Sequence, residues 1–87
     1  MSQLGPIQVI VNPVSAYGKT AGKWPAIQEA LRAQGLDFSA TLTEYRGHAA
    51  ELARQAAAQG FALVVAVGGE GTVYEIVNGL LTATTTQ

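Results

Sequence analysis

An α/β fold with parallel strands is predicted by three features of the 87-residue sequence. Short β-branched runs alternate strictly with longer segments whose apolar residues recur every three or four positions. Such strand-helix pairs imply parallel strands joined by right-handed crossovers. A cluster of glycines, Gly68, Gly69 and Gly71, joins the last strand to the last helix. We therefore predict a three-layer α/β/α half domain with three parallel strands and three helices.

The first strand-helix pair occupies the first 35 residues. Residues 7–11 form a β-branched run bounded by prolines, which predicts strand one. A helix should follow over about residues 20–34, with Trp24 on its apolar face and Gly35 as its stop. Because proline is best tolerated in the first turn of a helix, Pro25 predicts that the true start lies near residue 23 or 24.

The second strand-helix pair is less regular. Residues 37–42 alternate loosely between apolar and polar side chains and predict strand two. Residues 47–59 are rich in alanine, with Ala49, Ala53 and Ala56 on one stripe, and Gly60 closes the segment. We expect this segment to be helix two.

The third pair contains the glycine cluster and sets the limits of the domain. Strand three is predicted over 62–67 and helix three over 70–81. The domain should then span residues 1–81, because the tail 82–87 has no periodicity and should fray.

Ligands of open α/β sheets collect at the carboxyl ends of strands, so the loops after strands one and three should act together. This favours the strand order 2-1-3, although the sequence alone also allows 3-2-1.

Composition narrows the class of protein. Hydrophobic residues make up 48% of the chain and charged residues 13%, which argues against disorder and against a coiled coil. A net charge of -1 argues against broad electrostatic capture of nucleic acid or of an acidic membrane. The absence of cysteine excludes disulfides and thiolate metal sites. We see neither a signal peptide nor a transmembrane span, so the cytoplasm is the expected location.

The glycine cluster predicts an anion site. Glycine permits positive φ and lets a ligand approach main-chain N–H groups that no Cβ shields. The helix that begins at residues 70–72 adds the unpaired N–H groups and the positive dipole end of its first turn. We predict that Gly68, Gly69 and Gly71 form a loop that binds the phosphates of a nucleotide.

The first loop has two simpler interpretations. Gly18-Lys19-Thr20 after a strand is similar to the end of a Walker A loop, but the first glycine of that motif would fall at Pro13. Proline supplies no N–H and cannot take positive φ, which disfavours a true P-loop. The loop is also compatible with an ordinary strand-to-helix turn.

Taken together, the loops resemble a known family. The motifs are Asn12-Pro13-Val14-Ser15 with Gly18-Lys19, then Thr43 ahead of Gly47-His48-Ala49, then Gly68-Gly69-Glu70-Gly71-Thr72 with Glu75 and Asn78-Gly79-Leu80. Their order and spacing resemble the diacylglycerol kinase catalytic-domain family, which includes bacterial lipid kinases and sphingosine kinases and is related in fold to NAD kinases. The resemblance implies an ATP site. By position, its contacts would be Asn12, Pro13, Val14, Ser15, Ala16, Thr43, Gly68, Gly69, Glu70, Gly71, Thr72, Val73, Tyr74 and Glu75.

Elementary chemistry assigns roles to several of these residues. The glycines would present N–H groups to phosphate oxygens, Thr72, Ser15 and Thr43 would add hydroxyl donors, and Lys19 would add a point charge. The chain also departs from the family pattern, which has Asp at Glu70, Asn at Tyr74 and Gly at Ala16.

The resemblance further implies a lipid kinase that phosphorylates a lipid hydroxyl with ATP and Mg²⁺. In the family, the magnesium ligands, the catalytic base and the lipid-binding domain lie beyond the residues matched here, so we expect no catalytic or metal-binding residue in this chain and no turnover by it alone. A full-length enzyme would meet its lipid at the membrane surface. The alternative is a non-catalytic interaction module that self-associates through its exposed sheet edges.

Several single residues have a structural and a functional interpretation. His48 starts an alanine-rich helix and is expected at the surface or in packing, and Trp24 is expected in the core. Tyr17 and Tyr45 lie in loops near the proposed site, so either ring could contact a ligand. Glu75 could form a capping box with Thr72 or contact a nucleotide. Glu44 and Glu51 are expected to be solvated charges.

Overall fold

The computed structural model describes residues 5–85 and has the predicted α/β order. Its strands are β1 (Ile7–Val11), β2 (Phe38–Leu42) and β3 (Leu63–Val67), and its helices are α1 (Lys19–Ala33), α2 (His48–Ala58) and α3 (Glu70–Thr85). A short 3-10 turn, Ser15–Gly18, precedes α1. Strands two and three each begin one residue later than predicted.

The strands form one parallel sheet in the order β2-β1-β3 among the described residues. Val9 of β1 lies beside Ala40 of β2 on one side and Val65 of β3 on the other. All five residues of β1 are buried, because this strand is central and covered on both faces. The order 2-1-3 is confirmed and the alternative 3-2-1 is wrong.

Helices cover both faces of the sheet. On one face, Val9 and Val11 pack in a buried cluster with Trp24 of α1. On the other face, Ile10 packs with Ala53 of α2 and Ile76 of α3. The three layers are therefore confirmed, as is the assignment of Trp24 to the core.

Helix α1 begins earlier than the proline rule predicted. It starts at Lys19, so Pro25 lies inside it rather than in its first turn. The turn before the proline is held by the neighbouring loop: the Ala21 N–H donates to the Pro13 carbonyl at 3.2 Å, and the buried Thr20 hydroxyl hydrogen bonds with that of Ser15. These contacts stabilise helical residues that local propensity alone would leave uncertain.

Helix α3 extends past its predicted end. We expected it to stop at residue 81, but it continues to Thr85, so residues 82–85 of the expected tail are helical. The Thr82 hydroxyl donates to the Asn78 carbonyl at 2.8 Å, a bond one turn back along the helix. The last two residues of the predicted tail lie outside the described residues.

Candidate functional site

Three loops meet at the carboxyl edge of the sheet. They are the β1–α1, β2–α2 and β3–α3 connections, each of which follows a parallel strand. A cavity of about 330 Å³ opens at this edge, near the lower end of the volumes usual for small-molecule sites. It is lined by Asn12, Val14, Thr43, Glu44, Tyr45, Arg46, Ala49 and Glu75.

Asn12 connects the first and third loops. Its N–H donates to the Val67 carbonyl at 2.8 Å, which extends the pairing of β1 with β3. Its side-chain oxygen accepts from the Val14 N–H at 3.2 Å, and its side-chain amide donates to the Thr72 hydroxyl at 3.1 Å. Asn12 therefore holds the β1–α1 loop against the start of α3.

The rest of the first loop is held by contacts within the loop itself. The Ser15 hydroxyl donates to the Asn12 carbonyl at 3.0 Å and also contacts Thr20, so this hydroxyl is engaged within the loop. Ala16 and Tyr17 both have positive φ, 54° and 57°, which L-residues rarely adopt. Lys19 is exposed at the start of α1 and does not line the cavity.

The backbone of the glycine cluster differs from the one predicted. None of Gly68, Gly69 and Gly71 has positive φ, so the conformational freedom that glycine permits is not used at these positions. A Cβ on Gly68 would lie 2.6 Å from the Thr72 hydroxyl, which explains that glycine by close approach. A Cβ on Gly69 would meet only the Cβ of Ser15 at 3.9 Å, and one on Gly71 would meet nothing within 4 Å. The fold itself requires glycine at neither of these two positions.

The first turn of α3 leaves donors available. The Gly69 carbonyl accepts from the N–H groups of Thr72 and Val73, at 3.1 and 3.2 Å, and so begins the helix. Within residues 5–85, the N–H groups of Gly69, Glu70 and Gly71 have no acceptor, as expected at a helix start. Thr72 itself is only 3% exposed and positions the turn.

Glu75 connects α3 to the β2–α2 loop. Its carboxylate accepts from the Gly47 N–H at 3.2 Å and lines the cavity. The Thr72 hydroxyl is bonded to Asn12 instead, so the two residues do not form the capping box that we considered. The contact joins residues 28 positions apart and fixes α3 against the start of α2.

The β2–α2 loop carries a small aromatic cluster. The rings of Tyr45 and His48 stack with centroids 4.3 Å apart and an angle of 14° between them. The Tyr45 hydroxyl donates to the Glu51 carboxylate at 2.6 Å, and His48 Nδ1 accepts from the Glu44 N–H at 2.9 Å. The hydrogen bond to Glu51 raises the pKa of the Tyr45 phenol above its ordinary value, with smaller contributions from desolvation and from the charges of Glu51 and Glu44.

The structure brings only part of the predicted set to the cavity. Asn12, Val14, Thr43 and Glu75 line it. The other predicted residues lie in the β1–α1 and β3–α3 loops and at the starts of α1 and α3. They are Pro13, Ser15, Ala16, Lys19, Gly68, Gly69, Glu70, Gly71, Thr72, Val73 and Tyr74. Thr43 also continues the sheet, since its N–H donates to the Val11 carbonyl at 2.7 Å.

Sequence reasoning missed Arg46 and undervalued Glu44. Both line the cavity, to which Arg46 contributes a positive charge. The sequence signal that could have identified Arg46 was its position in the chain, because a basic residue in the loop after β2 must lie at the carboxyl edge of a parallel sheet. Within residues 5–85, no three acidic, histidine or cysteine side chains are grouped closely enough to hold a metal ion.

A parallel α/β unit with a glycine-rich helix start and a cavity at the carboxyl edge of its sheet is typical of a nucleotide-binding domain. Residues 6–87 match the family model of the diacylglycerol kinase catalytic domain. The chain belongs to this family, and the resemblance seen in the motifs is confirmed.

Known proteins agree with this assignment. YtlR of Bacillus subtilis is 38% identical over 74 residues, which are 82% of this chain and 24% of YtlR. Human sphingosine kinase 1 is 33% identical over 76 residues, 86% of this chain and 20% of that protein. A crystal structure of a diacylglycerol kinase from Bacillus anthracis superposes with a TM-score of 0.69 at 26% identity, covering 94% of this chain and 30% of that one.

The similarity is confined to part of each relative. The chain spans about a quarter of the length of the curated proteins that it matches. No helix within residues 5–85 is both long and apolar enough to cross a membrane.

Proposed function

We propose that this chain is the ATP-binding N-terminal portion of a lipid kinase. The observation that carries the proposal is the glycine corner, which is the cluster of Gly68, Gly69 and Gly71 between β3 and α3. The fold needs no glycine at Gly69 or Gly71, yet both stand beside N–H groups without an acceptor. Bare glycines at such a helix start let phosphate oxygens approach the main chain closely.

The rest of the site suits a nucleotide as well. Phosphates would lie on the N–H groups of Gly69, Glu70 and Gly71, with the positive end of the α3 dipole behind them. The neighbouring cavity would take the ribose and the base, bounded by Thr43 and Arg46. Phosphoryl transfer depends on positioning and on neutralisation of charge, and these residues would hold the donor in place.

The acceptor would be a lipid hydroxyl, as the names diacylglycerol kinase and sphingosine kinase indicate for the relatives. In this proposal Mg²⁺ travels with ATP, because the described residues do not group the three side chains needed to hold a metal. The magnesium ligands, the catalytic base and the lipid site would be supplied from outside these 87 residues. The chain by itself would then bind ATP in the cytoplasm without transferring phosphate.

Calorimetric titration tests the binding. MgATP should bind the wild-type chain, and Gly69→Val should weaken binding because the added side chain fills the approach to the N–H groups. Ala57→Val is the matched control, since it adds similar bulk at an exposed position near the end of α2 and should leave binding unchanged. Wild-type affinity weaker than about 1 mM, or equal affinity for both variants, would contradict the proposal.

A second candidate, an interaction module that self-associates, is favoured by the free side of β3. This strand lies at one end of the sheet, and its sequence is entirely apolar. Natural edge strands are usually protected by charges, proline or bulges. Leu63 on the strand and Val73, Val77 and Leu81 on α3 are exposed. We propose that this edge, rather than that of β2, pairs with a second copy of the chain.

A further inference from the structure

The ring of Tyr45 is held in place by contacts on two sides. One face stacks on His48 at a centroid distance of 4.3 Å, and the hydroxyl donates to Glu51 at 2.6 Å. His48 is fixed in turn, because its Nδ1 accepts from the Glu44 N–H at 2.9 Å. These contacts fix the orientation of the ring.

A fixed ring would ordinarily be buried, but Tyr45 is 56% exposed. Because the imidazole of His48 covers one face, the exposed surface belongs to the other face and to the ring edges. Tyr45 also lines the cavity at the carboxyl edge of the sheet. An orientated, exposed aromatic face beside a cavity is the arrangement on which nucleic-acid bases stack.

We infer that Tyr45 is a stacking surface for the base of the bound nucleotide. The inference rests on the proposed ATP site and adds the position of the base. The cavity extends from Asn12, which bonds to Thr72 beside the glycine corner, to Tyr45 in the β2–α2 loop. A nucleotide with its phosphates on the glycine corner would direct its base toward Tyr45. His48 is a positioning residue, since its ring stacks on that of Tyr45 and orientates it.

Two ligands separate the contribution of the base from that of the phosphates. MgATP carries both groups, whereas magnesium tripolyphosphate carries only phosphates. Tyr45→Ala should weaken MgATP binding about tenfold, the usual effect of removing a stacked ring, and leave tripolyphosphate binding unchanged. Tyr45→Phe keeps the ring and should hold MgATP affinity within about twofold. Circular dichroism of each variant verifies that it is folded.

A spectroscopic signature accompanies the affinity change. Stacking on the phenol ring should shift the adenine proton resonances of bound ATP upfield, and Tyr45→Ala should abolish the shift. Equal loss of both ligands in Tyr45→Ala, or unchanged MgATP affinity, would overturn the inference. Wild-type protein that binds tripolyphosphate as tightly as MgATP would overturn the inference while leaving a phosphate site. Wild-type protein that binds neither ligand would overturn the proposed function and this inference together.

Discussion

Ala16 has a backbone conformation that suits glycine. Its φ of 54° and ψ of 43° lie in the left-handed region, where an L-residue is disfavoured by about 1–2 kcal/mol. We predict that Ala16→Gly raises the free energy of unfolding by roughly 0.5–1 kcal/mol, because relief of the strain exceeds the added entropy of the unfolded chain. Urea denaturation without nucleotide measures the change.

The control for this prediction is the same substitution in a helical conformation. Ala21 is exposed within α1 and has no positive φ. Ala21→Gly should therefore lower the free energy of unfolding by about 1 kcal/mol. If both variants are destabilised equally, the left-handed conformation of Ala16 costs nothing and the prediction is wrong.

Tyr45 should ionise at unusually high pH. Its hydroxyl donates to the Glu51 carboxylate, and this bond raises the phenol pKa in the folded state. The contribution of this hydrogen bond to the free energy of unfolding is fully present below the ordinary pKa of tyrosine and is lost as pH rises through the raised pKa. Glu51→Gln removes the carboxylate charge and should return the midpoint toward its ordinary value.

Ultraviolet absorbance measures this ionisation. Subtracting the titration of Tyr45→Phe from that of the wild type isolates the Tyr45 phenol. The difference curve should have its midpoint above pH 10, the ordinary pKa of tyrosine. A midpoint that is the same with and without the Glu51 carboxylate would show that the hydrogen bond does not control the pKa.

Residue contacts divide into those that sequence patterns can predict and those that they cannot. Trp24 falls on a helical stripe, so its burial follows from local periodicity. The bond from Asn12 to Thr72 joins residues 60 positions apart, and no local pattern specifies it. The same holds for Glu75, whose partner Gly47 becomes its neighbour only when α2 and α3 pack together.

At the scale of elements, Gly79 sets the approach of α3 to α2. A Cβ at this buried position would lie 2.2 Å from the Ala50 carbonyl oxygen, which belongs to helix backbone and cannot move aside cheaply. We predict that Gly79→Ala lowers the free energy of unfolding by about 2 kcal/mol or more, since the helices must separate. Thermal and urea unfolding measure the change.

Gly22 provides the matched control for Gly79. It also lies within a helix, α1, but a Cβ there would meet nothing within 4 Å. Gly22→Ala should raise the free energy of unfolding by about 0.5–1 kcal/mol through helix propensity alone. Stabilisation by both substitutions would mean that α2 and α3 are not closely packed at Gly79.

The elements were predictable to the extent that their causes are local. Ile7–Val11 was located without error because prolines bound a β-branched run. The start of α1 was misplaced because Pro25 was judged by local rules, whereas Thr20 and Ala21 are held by contacts with the preceding loop. The glycine corner lies between β3 and α3 as predicted, but close contact with Thr72, rather than positive φ, explains Gly68.

At the scale of the whole molecule, the sheet is unequally covered. Every residue of β1 is buried, but Leu63 at the start of β3 is 42% exposed and the rest of that strand is half-buried. On α3, Ile76 packs into the core while Val77, next along the helix, is 46% exposed. Within residues 5–85, the apolar surface of β3 and α3 is therefore only partly covered, which is costly for a core as small as this one.

We predict that the isolated chain self-associates through this surface. Two copies related by a two-fold axis would pair their β3 edges and bury the exposed apolar residues of α3 against each other. Because β3 carries no charged residue, no like charges would meet along the paired strands. Sedimentation velocity should show an average mass that rises with concentration. Val77→Lys should return the chain to a monomer, whereas Ala57→Lys, with the same charge on exposed α2 surface, should not. A wild-type chain that stays monomeric at high concentration, or equal effects of the two lysines, would exclude pairing at β3.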